Sequence, residues 1–122
     1  MKILAFLLVV AGLTFAQDHE GNFTIRFEPD AQLQTNAEIP FAIHVTNDLH
    51  KPVLNATVTL QIETVQHTDV KVFKAPAVTD GVYVAKPIFP SAGQWSVYVE
   101  VHRGGLMSAR TIEFNVPASA AP

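Results

Sequence analysis

Cysteine is absent from all 122 residues of the sequence. This absence excludes disulfide bonds, a thiol nucleophile, thiolate metal ligands and a lipid-modified N-terminal cysteine. Small exported domains often use disulfides, so a domain of this size must be stabilised by its core or by a partner. Basic residues are also few, with 8 Lys and Arg against 11 Asp and Glu, and they form no patch. This balance argues against nucleic acid or an anionic membrane as the partner.

Long apolar runs are confined to the N-terminus, where residues 1–16 read MKILAFLLVVAGLTFA. Lys2 precedes an unbroken apolar run over residues 3–12, and the small residues Thr14 and Ala16 follow at positions typical of a cleavage site. The run is shorter than the ~20 residues of a membrane-spanning helix. It therefore predicts a signal peptide, 1–16, cleaved after Ala16, with an uncleaved N-terminal anchor as the alternative. We expect an exported, periplasmic or extracellular protein whose mature chain has no integral membrane segment.

Helical periodicity is missing as well, because no window has a 3.6-residue apolar stripe and period-two alternation dominates from residue 22 onward. The pattern predicts seven strands, at 23–29, 41–46, 56–63, 70–74, 82–88, 95–102 and 107–116. Such spacing is typical of an all-β, immunoglobulin-like, seven-stranded antiparallel β-sandwich. A small barrel fits the spacing too, but the length and the number of strands favour the sandwich. We expect one domain over residues 17–117 and a disordered tail at 118–122.

The alternation also predicts which side chains are buried. In the segment 95–102 the apolar residues occupy the odd positions, so Tyr98, Glu100 and His102 share the solvent-facing side. Glu100 and His102 are then close enough for a weak ion pair. The expected core residues are Phe41, Ile43, Val58, Leu60, Trp95, Val97 and Val99, and the residues expected to face outward are His44, Thr57, Tyr98 and Glu100.

Three short segments carry a family resemblance. Residues 51–58, KPVLNATV, resemble a "GKPVxxAxV" motif; residues 80–83, DGVY, resemble a "G-x-Y" step; and residues 92–97, AGQWSV, resemble an "xGxWxxxV" strand entry. Together they are similar to the YtkA-like and FixH-like domains of bacterial exported proteins. The resemblance implies a β-sandwich displayed outside the cytoplasm. Some relatives are linked with copper handling or the assembly of copper-containing oxidases, although this chain lacks the Met- and His-rich stretches of dedicated copper carriers.

Catalytic motifs are missing from the sequence. The serines lie in no nucleophile-elbow context, and no His–Asp spacing indicates a triad. The acidic residues are scattered singly, without the close pair that glycoside hydrolysis requires. The Gly-Gly step at residues 104–105 predicts a hairpin turn rather than a phosphate-binding loop. We therefore expect a protein that is not an enzyme and has no organic cofactor.

The histidines provide one hypothesis for a metal site. In an immunoglobulin-like order, three of the strand connections gather at one end of the sandwich. The residues placed there are Asp48, His50, Asp80, His102 and Met107. Imidazole, thioether and carboxylate groups together suit copper, so His50, His102, Met107 and Asp48 are the candidate ligands. His67 is expected at the opposite end, and His44 in the opposite sheet from His102.

Two functions from different classes follow from these features. The first is a small exported, non-catalytic binding or accessory module that meets a protein partner outside the cytoplasm, by its loops or by an exposed sheet face. The alternative is a periplasmic copper-handling or oxidase-assembly accessory protein that binds copper at the loop end. Tyr98 with Thr57 and Thr59 is expected to form part of a polar sheet surface.

Overall fold

A computed structural model describes residues 23–119 as an all-β chain. The predicted signal peptide at 1–16 and residues 120–122 of the predicted tail lie outside the described residues. Eight strands follow one another: β1 (Thr24–Pro29), β2 (Phe41–Thr46), β3 (Thr57–Thr64), β4 (Lys71–Lys74), β5 (Ala77–Thr79), β6 (Val82–Ala85), β7 (Gly93–Arg103) and β8 (Leu106–Val116). Residues 23–119 contain no helix that is long enough and apolar enough to span a membrane.

The strands form two antiparallel four-stranded sheets that enclose one core. The first sheet has the order β1-β2-β6-β5, and the second has the order β4-β3-β7-β8. The central pair of the second sheet, β3 and β7, is in register from Thr57 opposite His102 to Thr64 opposite Trp95. This architecture confirms the predicted all-β sandwich. The more specific assignment of this sandwich as immunoglobulin-like stays a prediction from the sequence pattern.

The strand count differs from the prediction by one, because the segment between β4 and β6 contains a further short strand. β5 has only three residues, all exposed, and its pairing with β6 is irregular between Ala77 and Thr79. Three exposed residues carry no alternating pattern, which explains why the sequence did not predict a strand there. β6 is shorter than predicted and ends at Ala85, two residues before Pro87, since proline cannot donate a ladder hydrogen bond.

The core has the composition that the alternation predicted. All seven expected core residues are at most 4% exposed, and Trp95 is completely buried. Around them, the rings of Phe27, Phe41, Phe89, Phe114 and Trp95 form a chain of tilted and edge-on contacts, with centroid separations of 5.5–6.4 Å. This aromatic cluster joins the two sheets in the absence of a disulfide.

The first residues of the predicted tail are held against the domain. Ser119 donates its hydroxyl to the carbonyl oxygen of Thr35 at 2.6 Å, and its backbone N–H donates to Thr35 Oγ1 at 3.2 Å. Because Thr35 is itself buried, Ser119 satisfies polar groups at the edge of the core. Ser119 therefore contacts the domain, and the predicted domain limit at residue 117 stays a prediction.

Candidate functional site

Three connections meet at one end of the sandwich, as predicted. They are the β2–β3 loop (residues 47–56), the β5–β6 turn (80–81) and the β7–β8 turn (104–105), and we call this end the loop end. The Val45 N–H donates to the carbonyl oxygen of Gly81 at 2.9 Å, and Arg103 Nε donates to that of Leu54 at 2.6 Å. The first bond ties the β5–β6 turn to the end of β2, and the second ties the β2–β3 loop to the end of β7.

The buried Tyr83 ties the β2–β3 loop to the first sheet. Its hydroxyl donates to the carbonyl oxygen of Val53 at 2.7 Å and accepts from the N–H of Ala56 at 3.1 Å. Gly81 lies directly against Pro52. Two of the three segments that resemble family motifs, 51–58 and 80–83, are therefore in contact, and their shared role is to shape this loop.

The tip of the β2–β3 loop presents its side chains to solvent. Asn47 Oδ1 accepts hydrogen bonds from the backbone N–H groups of Leu49 and Lys51, at 2.9 and 3.0 Å. His50 adopts a left-handed backbone conformation with φ of 62°. This tight turn leaves Asp48, Leu49 and His50 exposed.

The structure brings together two of the four predicted metal ligands. His102 and Met107 are direct cross-strand partners in the β7–β8 hairpin, whereas Asp48 and His50 lie in the separate β2–β3 loop. Across residues 23–119, no three His, Asp or Glu side chains form a group able to hold a metal ion. The four-residue copper site stays a prediction, and its best-supported part is the His102–Met107 pair.

Among residues 23–119, the two other histidines, His44 and His67, lie where the sequence placed them. His44 is in β2 and His102 is in β7, which belong to opposite sheets. His67 lies in the β3–β4 loop, where the neighbouring Val65 N–H donates to the carbonyl oxygen of Gln94 at the far end of β7. His67 therefore lies at the end of the sandwich opposite the loop end, and its imidazole contacts Glu63.

The second sheet presents a largely polar surface on the side away from the core, which we call the outer face. The register of the four strands aligns its side chains in cross-strand rows: Thr57, His102 and Met107; Lys74, Thr59, Glu100 and Ala109; Val72, Gln61, Tyr98 and Thr111. Most of these side chains are half-exposed, so the outer face is accessible. The predicted outward direction of Thr57, Tyr98 and Glu100 is confirmed.

A three-residue hydrogen-bond network organises the centre of the outer face. The Tyr98 hydroxyl donates to Glu100 Oε2 at 2.7 Å, and His102 Nε2 donates to Glu100 Oε1 at 2.7 Å. These two bonds hold the pKa of the Glu100 carboxyl below its ordinary value, and the bond from Tyr98 has the larger effect. Because the carboxylate uses both oxygens, Tyr98 and His102 are fixed in direction on either side of it.

This network predicts a pH-dependent contribution to stability. A carboxyl whose pKa is lowered on folding stabilises the protein above its unfolded pKa, about 4.3, and loses that contribution as pH falls through the lower folded value. Replacing Glu100 by glutamine should therefore lower the free energy of unfolding by about 1 kcal/mol or less at pH 7, since the pair is near the surface. The difference from wild type should shrink below about pH 4. Denaturant titrations at pH 7 and pH 3 measure it.

Glu113 provides the matched control. It is an exposed carboxyl on β8 that forms no side-chain hydrogen bond within the described part of the chain. Glu113→Gln should change stability little at either pH. An equal, pH-independent loss in the Glu100 and Glu113 variants would contradict the network.

The Tyr98–Glu100 bond and the apolar character of the loop end were not predicted from the sequence. Tyr98 precedes Glu100 by two residues on the same face, just as His102 follows it by two, so the alternation did indicate that Tyr98 and Glu100 are neighbours. At the loop end, Leu49, Leu54 and Leu106 are exposed. Leu54 separates two surface hollows of about 280 and 300 Å³, one beside Val78 and the other beside Phe23. In the sequence, the apolar character of the loop end was indicated by leucines that lie inside turn segments.

Comparisons with known proteins support the fold and identify the family. No curated protein matches the chain. A solved structure, a DUF4785 family protein from Legionella pneumophila subsp. pneumophila str. Philadelphia 1, is similar with a TM-score of 0.54 and 14% sequence identity. The similarity covers 79% of this chain but only 28% of that protein, so it supports the sandwich fold alone. The model of the YtkA-like family matches residues 16–100, and the chain therefore belongs to the YtkA-like family.

Proposed function

We propose that this protein is an exported, non-catalytic accessory module that binds a partner protein through the outer face of its second sheet. The observation that carries the proposal is the Tyr98–Glu100–His102 network. Side chains that are already fixed before binding lose less conformational entropy on association. The export itself rests on the signal-like sequence at residues 1–16.

The composition of the outer face favours a protein partner. Tyrosine is enriched at protein interfaces because its ring contributes apolar area and its hydroxyl forms hydrogen bonds. Here Tyr98 lies in the row with Val72, Gln61 and Thr111, so apolar and polar groups alternate around it. The threonines and Gln61 supply short hydrogen-bonding groups on a rigid sheet, and Lys74 adds a positive charge at the edge.

The proposal predicts that Tyr98→Ala weakens recovery of the partner at least tenfold, the scale of a hot-spot residue. The measurement is quantitative affinity capture from a periplasmic extract, with the 17–122 fragment as bait. His44→Ala is the matched control, because His44 is also half-exposed but lies in the other sheet. Loss with Tyr98→Ala and retention with His44→Ala is expected. Equal recovery by both variants, or no specific protein captured by wild type, would count against the outer face.

Copper handling is a second candidate, favoured by one observation. The register places His102 directly opposite Met107, so an imidazole and a thioether lie side by side near the loop end. Both are ligands that Cu(I) accepts. A calorimetric titration with Cu(I) tests it: His102→Ala should weaken binding at least tenfold, and His67→Ala, at the opposite end, should leave it unchanged. Absence of binding at micromolar protein, or equal loss in both variants, would rule it out.

A further inference from the structure

The exposed leucines of the described residues all lie at the loop end. Leu49 is 71% exposed at the tip of the β2–β3 loop, and Leu54, 41% exposed, lies further along the same loop. Leu106 is 42% exposed and begins β8, directly opposite Arg103, whose side chain bonds to the Leu54 backbone. With Val78, which lies beside Leu54, this end holds four of the seven large apolar side chains that are exposed among residues 23–119, and this concentration favours a contact surface.

The polypeptide also enters the domain at this end. Thr24, the first residue of β1, pairs with Thr46, the last residue of β2, immediately before the β2–β3 loop. Phe23 lines the same hollow as Leu54 and Arg103. By contrast, Val116 at the end of β8 pairs with Gly93, at the other end of the sandwich. The described chain therefore begins, at Phe23, beside Leu54 at the loop end.

The sequence upstream supplies the chemistry of the occupant. Residues 3–12 form an unbroken apolar run, and ten residues, 13–22, separate this run from Phe23. Ten extended residues span at most about 35 Å. A membrane that holds the apolar run therefore lies within about that distance of the loop end.

We propose that, in a chain that keeps its N-terminal apolar run as a membrane anchor, the loop end is the membrane-facing end of the domain, with Leu49, Leu54 and Leu106 in contact with the lipid surface. The contact is apolar rather than electrostatic, because the loop end carries both signs of charge, Asp48 and Asp80 beside Lys51 and Arg103. Contact at this end leaves the outer face free. The inference does not depend on the proposed partner.

The test uses the full chain, residues 1–122, synthesised with phosphatidylcholine vesicles that lack signal peptidase and then floated. Leu49→Trp supplies a reporter, and the fully buried Trp95 gives the same background in every variant. In vesicles of brominated phosphatidylcholine, the emission that the Leu49→Trp substitution adds to the Trp95 background should fall at least twofold. Two control reporters, Val72→Trp on the exposed outer face and His67→Trp at the opposite end, should be unaffected.

A second comparison separates contact by the leucines from simple proximity. Adding Leu54→Ser and Leu106→Ser to the Leu49→Trp variant should reverse at least half of the quenching. The proposal is overturned by a chain that does not float, by an unquenched Leu49→Trp reporter, by equal quenching of all three reporters, or by quenching that the serine substitutions leave unchanged. An unquenched reporter with blue-shifted emission would indicate that the N-terminal segment itself covers the leucines.

Discussion

Replacing Trp95 by alanine should lower the free energy of unfolding by about 3–5 kcal/mol, the usual cost of deleting a large buried aromatic side chain. Trp95 is the largest fully buried side chain, and its ring packs edge-on against Phe89 with centroids 5.5 Å apart. Its indole N–H donates to the carbonyl oxygen of Ser91 at 2.9 Å. The substitution therefore removes both core volume and the bond that fixes the turn before β7.

Denaturant unfolding of the 17–122 fragment measures this loss. Trp95→Phe is the comparison variant, because it retains most of the ring volume but not the N–H donor, and it should cost less than alanine. A typical small domain is stable by only about 5–15 kcal/mol, so Trp95→Ala should bring the fragment close to unfolding. A midpoint that shifts only slightly would show that Trp95 does not hold the two sheets together.

Replacing Gly81 by alanine should cost about 2–5 kcal/mol, from two sources that add. Gly81 has φ of +73°, a left-handed conformation that costs other residues about 1–2 kcal/mol. An added Cβ would also lie 2.5 Å from Pro52 Cβ and 3.1 Å from the Val45 carbonyl oxygen. Relief of that clash requires the β2–β3 loop to move, at a typical cost of about 1–3 kcal/mol.

Gly104 provides the control that separates the two sources. It is also left-handed, with φ of +58°, but a Cβ there would meet no atom within 4 Å. Gly104→Ala should therefore cost only the conformational part, about 1–2 kcal/mol. Unfolding free energies of the two variants, measured side by side, should differ by the cost of the clash with Pro52. Equal losses would show that the Gly81–Pro52 contact carries no energy.

The sequence was most informative where one sheet face is buried. Alternation placed Val97 and Val99 in the core and Tyr98 and Glu100 outside, because a one-residue slip would invert every side chain of β7. The family motifs were informative about structure rather than chemistry. Gly81 is required by the proximity of Pro52, and Tyr83 is required by the β2–β3 loop carbonyl that its hydroxyl binds.

The sequence was least informative where geometry depends on contacts between distant segments. β5 is too short and too exposed to show a pattern, and its pairing depends on β6. The bond from Arg103 to the Leu54 carbonyl joins residues 49 positions apart, so no local signal predicts it. The His102–Met107 pair followed from the hairpin register, but the position of His50 relative to this pair depends on the path of the β2–β3 loop.

The most direct test of the account is site-specific photo-crosslinking of the outer face in living cells. A benzoylphenylalanine at Gln61, next to Tyr98 in the centre of the sheet, should give a discrete higher-mass adduct after illumination. The same group at His44, in the centre of the first sheet, should give none. An adduct from Gln61 alone is the result that the account predicts. No adduct from Gln61, or the same adduct from both positions, would contradict the outer face as the partner-binding surface.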